Sequence, residues 1–494
     1  MRAYSLSAVL MTAIVALATG CQHVPRVPLD LESYAAALAE RPMEMTPVQA
    51  YAEALAKDRG QAVAEFDIAD GVSLQEAEAI ALTFNSTVRA ARLEVEHAAA
   101  VAAASGRWDD PELGLVGGRK RVEGGSRTRE LTVEPNLDSP TLASYGFRQE
   151  VERSIDKAWV RSASLSITLP ISGRLAAERR AHEAGVEAAL QRVAEAEWQT
   201  LLELRRAWLE WSAAEERTKL LERQMDTLAP FVEAADALRT VGELLSSDAR
   251  LFAIEQGRLA GQLERTRHEV LALRSGIMRM LGLLPDAPLV LQPSLHIAEA
   301  IPAVDDLPGH VARSHPVVAR LRAEYEVAEE SLRVELRRQY PDLTISPLYT
   351  DERDETSLVL GLGFPVPVWN ANRLGIAEAA AARDMARARL EHTFEAILSD
   401  IAGTQARWEG ARAQRIRLAE EVAPMVDAQL KEMEKLLRIG ELELPLLHQT
   451  LTQSLEIKSE LLDAAVSEQL AAATVSAALA PAWPVSAQTV EMQP

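Results

Sequence analysis

The chain has one cysteine among 494 residues, which excludes a disulfide framework and any multi-cysteine metal or iron–sulfur site. Aromatic residues are also scarce at 4%, and alanine supplies much of the 48% hydrophobic share. That bias predicts long helices packed closely through small side chains, in place of a thick globular core. A basic surplus is missing too. Against 73 Asp and Glu stand 52 Lys and Arg, a formal net charge of -21, which argues against binding nucleic-acid phosphates. Beyond the N-terminus no stretch offers the ~18 uninterrupted apolar residues of a membrane-spanning helix, so any spanning falls to β-strands. Phosphate loops, dinucleotide fingerprints and serine elbows are absent from the sequence. The nine histidines include no pair at ligand spacing on one helix, and the acidic pairs lack an adjacent nucleophile. No catalytic residue, cofactor or resident metal is expected. The pairs Met43 and Met45, and Met278 and Met280, read as packing.

What is present begins at the N-terminus. Arg2 precedes an apolar stretch from Leu6 to Ala18, and Ala18-Thr19-Gly20 leads to Cys21. A short cationic start, a brief apolar region and a small-residue exit predict a signal peptide over residues 1–20. The cysteine after the exit resembles the bacterial lipoprotein signal, although Ala18 stands where leucine is usual. The resemblance implies that Cys21 becomes a lipid anchor in one leaflet. Gln22 follows it, not the aspartate that commonly retains lipoproteins in the inner membrane. An ordinary secretory signal with a chance cysteine is the alternative. Residues 21–70 read as an extended tether with one short helix near Ala50 to Ala56.

The remainder is one pattern written twice. His315 stands 230 positions after Asn85, and Pro341 stands 230 positions after Pro111, so two helices of equal length run between these marks. Each is followed by a predicted β-hairpin, Glu112 to Val122 with Val160 to Ile171, then Leu343 to Tyr349 with Ser357 to Val366. The first hairpin has a long polar connection, Glu123 to Lys157, that reads as an external loop. Long helices follow with heptad-like seams, Leu201, Leu204, Trp208 and Trp211 in one, Leu390, Phe394, Ile397, Ile401, Thr404 and Trp408 in the other. Pro230 and Pro424 are expected to kink them. Matching breaks occur at Val241-Gly242-Glu243-Leu244 and Ile439-Gly440-Glu441-Leu442, after which a helix returns. The domain plan is therefore a first repeat over residues 71–283, a proline-punctuated connection over 284–308, a second repeat over 309–480 and a tail over 481–494.

These duplicated helix starts, the prolines at the strands and the paired Gly-Glu-Leu turns resemble the TolC-like outer-membrane efflux proteins, from about Leu74 to Leu479. The segments Leu169 to Arg174 and Phe364 to Gly375 are most similar to the heavy-metal, CzcC-like branch. Where that branch often has a Phe-Asp-Arg-Asn-Gln-Gly-type stretch, this chain has Trp369-Asn370-Ala371-Asn372-Arg373-Leu374-Gly375. The resemblance implies a mainly α fold with four strands per chain, shared by a homotrimer as a twelve-stranded barrel below which the helices form a periplasmic tunnel. It implies a passive exit duct in the outer membrane, anchored in its lipid, for an efflux system that exports heavy-metal cations or other small molecules. The implied partners are a periplasmic adaptor (membrane fusion) protein and an inner-membrane pump, with the RND type as one candidate. Val241, Gly242, Glu243, Leu244, Ile439, Gly440, Glu441 and Leu442 would be the adaptor-docking tips. Glu243, Asp248, Glu441 and Glu443 could face the lumen as rings of charge, or lie on a solvated outer face. A periplasmic adaptor or a structural coiled-coil lipoprotein remain as other readings.

Overall fold

The computed structural model describes residues 25–41, 46, 48–50, 70–120, 158–242, 244–296, 301–352, 355–439 and 444–480. A first unit, Met1–Met45, contains helix α1 (Leu31–Glu40). Asp30 caps it by accepting from the backbone of Glu32 and Ser33. This helix lies in the stretch expected to be an extended tether; Asp30 supplies the start signal that the expectation passed over. The short helix expected near Ala50 to Ala56 lies almost wholly outside the described residues.

The second unit, Thr46–Pro494, carries both repeats. The first comprises α2 (Leu74–Phe84), α3 (Ser86–Ala104), β1 (Glu112–Lys120), β2 (Ala158–Leu169), α4 (Arg174–Thr240) and α5 (Ser246–Met280). The second comprises α6 (Leu307–Ser314), α7 (Pro316–Arg338), β3 (Leu343–Glu352), β4 (Glu355–Gly363), α8 (Arg373–Arg417), a π turn (Leu418–Val422), α9 (Ala423–Ile439) and α10 (Leu444–Ala478). The repeats match element by element. At 1.5 Å per residue, the 67 residues of α4 extend about 100 Å.

The two prolines behave differently. α4 runs without a break through Pro230. In the second repeat the helix widens just before Pro424, where the Ala423 N–H reaches back to the Leu418 carbonyl. A proline cannot donate to the carbonyl four residues earlier and its ring crowds that carbonyl, so a widened turn there relieves both demands.

Heptad positions Leu201, Leu204, Trp208 and Trp211 are buried, and Ile401 and Thr404 follow suit. Trp408 does not. It is half-exposed and carries the Arg412 guanidinium 5.3 Å from its ring centroid. α4 is the shared wall of the fold, packing against α2, α3, α5, α7 and α10. Arg92 of α3 and Glu197 of α4 form a buried ion pair at 2.8 Å, while Arg192 to Glu324 at 3.2 Å and Arg320 to Glu195 join α4 to α7. Met278 is fully buried, in keeping with a packing role.

The inter-repeat segment is more than a connection. Val72 bridges Leu291 in parallel, with Val72 N–H donating to the Val290 carbonyl at 2.7 Å and Gln292 N–H to the Val72 carbonyl at 2.9 Å. Gly282 ends α5 at φ +69°, and a Cβ there would stand 2.3 Å from the Phe84 carbonyl oxygen. Only glycine fits both the left-handed turn and that approach.

The two equivalent helix starts are closed by different chemistry. Asn85 caps α3 through Oδ1, accepting from Thr87 at 2.8 Å and Val88 at 3.4 Å, and its Nδ2 donates to the Met280 carbonyl at 2.8 Å. His315 makes no cap bond. Its buried ring meets Trp198 edge-on at 5.2 Å, and its Nδ1 has no partner. Burial lowers the His315 pKa from 6.5 to about 4.

In the unfolded chain this histidine binds a proton near pH 6.5 while the folded one does not until about 4. Its contribution is therefore complete above pH 6.5 and is lost as pH falls toward 4, by about 3 kcal/mol. Thermal unfolding followed by helical circular dichroism at pH 7 and pH 4.5 should show this loss. His315→Asn, which restores the residue found at the other repeat's cap, should remove that part of it.

Candidate channel wall and docking tips

The four strands form one antiparallel sheet in the order β1-β2-β3-β4, with β2 and β3 joining the repeats at its centre. Their lengths of 9, 12, 10 and 9 residues are close to the 9–11 of tilted membrane strands. Register assigns every side chain to a face. Leu113 pairs with Leu165 and Leu115 with Ala163; Ile167 pairs with Ile345 and Leu169 with Leu343; Ile345, Pro347 and Tyr349 pair with Leu362, Leu360 and Leu358. One face is thus a continuous apolar surface. It is also open, Leu358 being 77% and Leu360 65% exposed.

The opposite face carries mainly hydroxyls and glycines, with Val116, Val160, Leu348 and Val359 among them. Gly114 pairs with Ser164, Ser162 with Thr350, Thr168 with Thr344, Ser346 with Gly361 and Thr350 with Ser357. Ser166 and Ser346 hydroxyls lie 3.3 Å apart, and those of Thr168 and Thr344 3.4 Å apart. β1 and β4 are the outer strands, each with one edge unpaired by any described strand. A sheet with an exposed apolar face, a polar face and two free edges has the design of a membrane-barrel segment.

A charged knot ties the sheet to the helices. Ser172 donates to Asp342 at 2.9 Å, and Arg174 reaches Glu178 at 2.9 Å, Asp109 at 3.5 Å and Asp342 at 3.6 Å, which links the two repeats. Both strand-to-helix turns pass through left-handed backbone, at Gly173 (φ +75°) before α4 and at Asn372 (φ +53°) before α8. Asn372 Nδ2 donates to the Glu335 carbonyl at 2.9 Å and to its carboxylate at 2.7 Å. The Asn370-to-Gly375 segment thus carries a turn whose asparagine is held by α7. Among the described residues no group of three or more His, Cys, Asp or Glu could hold a metal ion.

At the other end of the long helices, Gly242 turns the chain at φ +82°, and a Cβ on it would meet nothing within 4 Å. Gly242 N–H donates to the Arg239 carbonyl and Leu244 N–H to the Leu238 carbonyl, both at 3.2 Å. Val241 and Leu245 flank it at 69% and 70% exposed. Beneath the turn one apolar cluster unites the repeats, combining Leu228, Phe231 and Ala235 of α4 with Ala249 and Phe252 of α5, Met433 of α9, and Leu447 and Leu451 of α10. The ends of α4 and α9 and the starts of α5 and α10 share that core. Next to it Glu255 accepts from Arg258 at 2.9 Å and stands 3.7 Å from His448 of α10. The Arg258 hydrogen bond holds the Glu255 carboxyl below its usual range.

Of the sequence-predicted tip residues, Val241, Gly242, Leu244 and Ile439 are described; Glu243, Gly440, Glu441, Leu442 and Glu443 lie outside the described residues, as do Cys21 and the 123–157 connection. Asp248 is in the first turn of α5. The faces of the sheet were not read from the sequence, although alternate serines at Ser162, Ser164 and Ser166, and leucines at Leu358, Leu360 and Leu362, carried the signal. No described helix is long and apolar enough to cross a membrane.

Solved structures of other proteins share this architecture. A membrane protein from Pseudomonas aeruginosa superposes with a TM-score of 0.67 at 15% identity, over 86% of this chain and 94% of that one. CusC, described with its transmembrane channel formation, gives 0.65 at 12% identity over 82% and 91%. In sequence, the model of the family "Outer membrane efflux protein" matches residues 79–249. The cobalt-zinc-cadmium resistance protein CzcC of Cupriavidus metallidurans is 25% identical over 276 residues, 54% of this chain and 62% of its own length. The family model thus covers part of the first repeat, and the solved structures share the fold. The match spans less than two thirds of CzcC.

If the leucine face meets lipid, charge should be tolerated on one face only. Leu360→Arg is expected to cost about 2–4 kcal/mol and to deplete the protein from membranes, whereas Ser346→Arg on the other face should leave insertion intact. Membrane fractionation of the two variants distinguishes them.

Proposed function

We propose that the chain is the subunit of an outer-membrane channel that serves as the passive exit duct of a tripartite efflux system. The observation that carries this reading is the sheet, apolar on one face, rich in hydroxyls and glycine on the other, and with both outer edges unpaired by any described strand. Four strands cannot close a barrel. Two copies would supply eight, whose interior is filled by side chains, and three would supply twelve around an open lumen. The homotrimer is the state we favour, with Cys21 as lipid anchor, the helices in the periplasm and residues 71–283 and 309–480 as its two repeats. A periplasmic adaptor would dock at the turns Val241 to Leu244 and Ile439 to Leu442, coupling the duct to an inner-membrane pump. The exposed apolar flanks of Gly242 support that assignment. Asp248 and Glu443, with Glu243 and Glu441, are the acids we assign to the mouth of the duct.

Heavy-metal cations are the cargo we favour, by similarity to CzcC, with the ion as a passenger and no resident binding site. We assign no catalysis to the chain; energy would come from the pump.

Particle mass in mild detergent, corrected for bound detergent, should correspond to three copies. A monodisperse single copy would overturn the shared barrel. Deleting the gene should sensitise cells to cobalt, zinc and cadmium, and unchanged tolerance would remove the metal cargo. Replacing Gly242 and Gly440 by valine should abolish export while trimers persist, since at Gly242 (φ +82°) valine is strained by about 1–3 kcal/mol. Export surviving both changes would take the tips out of the mechanism.

A further inference from the structure

At the end of the sheet away from the helices, the apolar face stops being apolar. Arg119 of β1 pairs in register with Trp159 of β2, and its guanidinium lies 4.4 Å from the indole centroid. Two residues along β2, Arg161 stands opposite Gly117. A Cβ on Gly117 would meet nothing within 4 Å, so β1 leaves an open space beside Arg161. The result is a shelf with glycine as its floor, the indole with the Arg119 guanidinium as one wall and Arg161 on the same face beside it. Arg119 and Arg161 are diagonal neighbours, about 7–8 Å apart at their backbones. Both are exposed, and among the described residues neither is ion-paired. Asp351 of β3 is Arg161's register partner and is the acid described on this part of the face. Trp159 is 53% exposed, although indoles are ordinarily covered in water-soluble folds.

We propose that this shelf seats the phosphate of an anionic lipid headgroup in the leaflet away from the helices. The inference rests on the barrel reading above. Guanidinium is the side chain suited to bidentate phosphate binding, and indoles settle at headgroup level where hydrocarbon meets water. The basic pair is set in a chain of net charge -21, so it is a local reversal of the general sign. Lipid is favoured over free phosphate by continuity. Leu115, Leu113 and Leu165 run from the shelf along the same face, so acyl chains below a bound headgroup would lie on leucine.

The test uses the full-length protein purified in mild detergent, with thermal unfolding measured against added diphosphoryl lipid A, phosphatidylcholine or inorganic phosphate. Lipid A should raise the unfolding temperature saturably, and the other two should not. Arg119→Gln and Arg161→Gln should each raise the half-saturating lipid A concentration roughly fivefold, and the double variant more. Asp351→Asn should lower it. An unchanged response in the double variant, or an equal response to phosphatidylcholine, would overturn the shelf; an equal response to inorganic phosphate would reject the lipid. Particle mass on the same samples separates this from failure of the barrel. A trimer without phosphate preference sinks only the shelf, whereas a single copy sinks both.

Discussion

The structure depends on how a backbone hydrogen bond fares without water. In hydrocarbon an unpaired N–H or carbonyl costs several kcal/mol, and even in water a long open strand edge invites uncontrolled pairing. Among the described strands, this chain ends its sheet with two such edges, β1 and β4. Covering them requires further strands, and under the channel reading another copy of the same chain would supply them in matching form, β4 of one against β1 of the next. The duplication then has a physical purpose. Each repeat contributes one hairpin, β2 pairs with β3 to join them, and the sheet passes their alignment to the helices through the Arg174–Asp342 knot. Contacts such as Arg192 with Glu324 continue that alignment between α4 and α7.

Much of this was legible in the sequence because spacing is a strong signal when it occurs twice. Helix starts at Asn85 and His315, strands after Pro111 and Pro341, and breaks near Gly242 are fixed by local turn chemistry that survives any tertiary context. Less was legible where the outcome depends on partners distant in sequence. Pro230 sits in an unbroken helix and Pro424 beside a π turn, a difference that proline identity alone cannot report. Trp408 holds a seam position yet stays half-exposed, because periodicity identifies a face without saying whether this chain covers it. The pairing of Val72 with Leu291 joins residues more than two hundred positions apart, and no local pattern announces it.

The equivalent positions of the two repeats also show how one backbone requirement is met by different side chains. Left-handed turns before the long helices are made by glycine at 173 and asparagine at 372. Glycine needs no support there. Asparagine is stabilised by its bonds to Glu335, so the second turn is tied to α7 in a way the first is not. At the helix starts, Asn85 satisfies two donors while His315 leaves its own Nδ1 unmet. The second repeat has exchanged capping for ring packing against Trp198, and its stability thereby acquires a dependence on acid that the first repeat's cap lacks.

Within Phe364 to Gly375, one of the two segments similar to the heavy-metal branch, the stretch that departs from that branch has a structural explanation in this fold, since Asn372 shapes a turn. Metal specificity therefore cannot be argued from it. The proposed lumen wall does not supply that specificity either. Its middle carries Ser162, Ser164, Ser166, Thr344, Ser346 and glycines, with Val116, Leu348 and Val359 among them, neutral groups that favour neither sign of charge. A carboxylate ring can bias a pore toward cations, but hydroxyls spaced around a wide, water-filled lumen leave an ion with its own hydration. Under the channel reading, sorting must take place before the cargo reaches the membrane, at the acidic tips or in the pump. Under that reading similarity to CzcC would describe the system that the duct serves, and the duct's own residues would be accounted for by the need to build a wall.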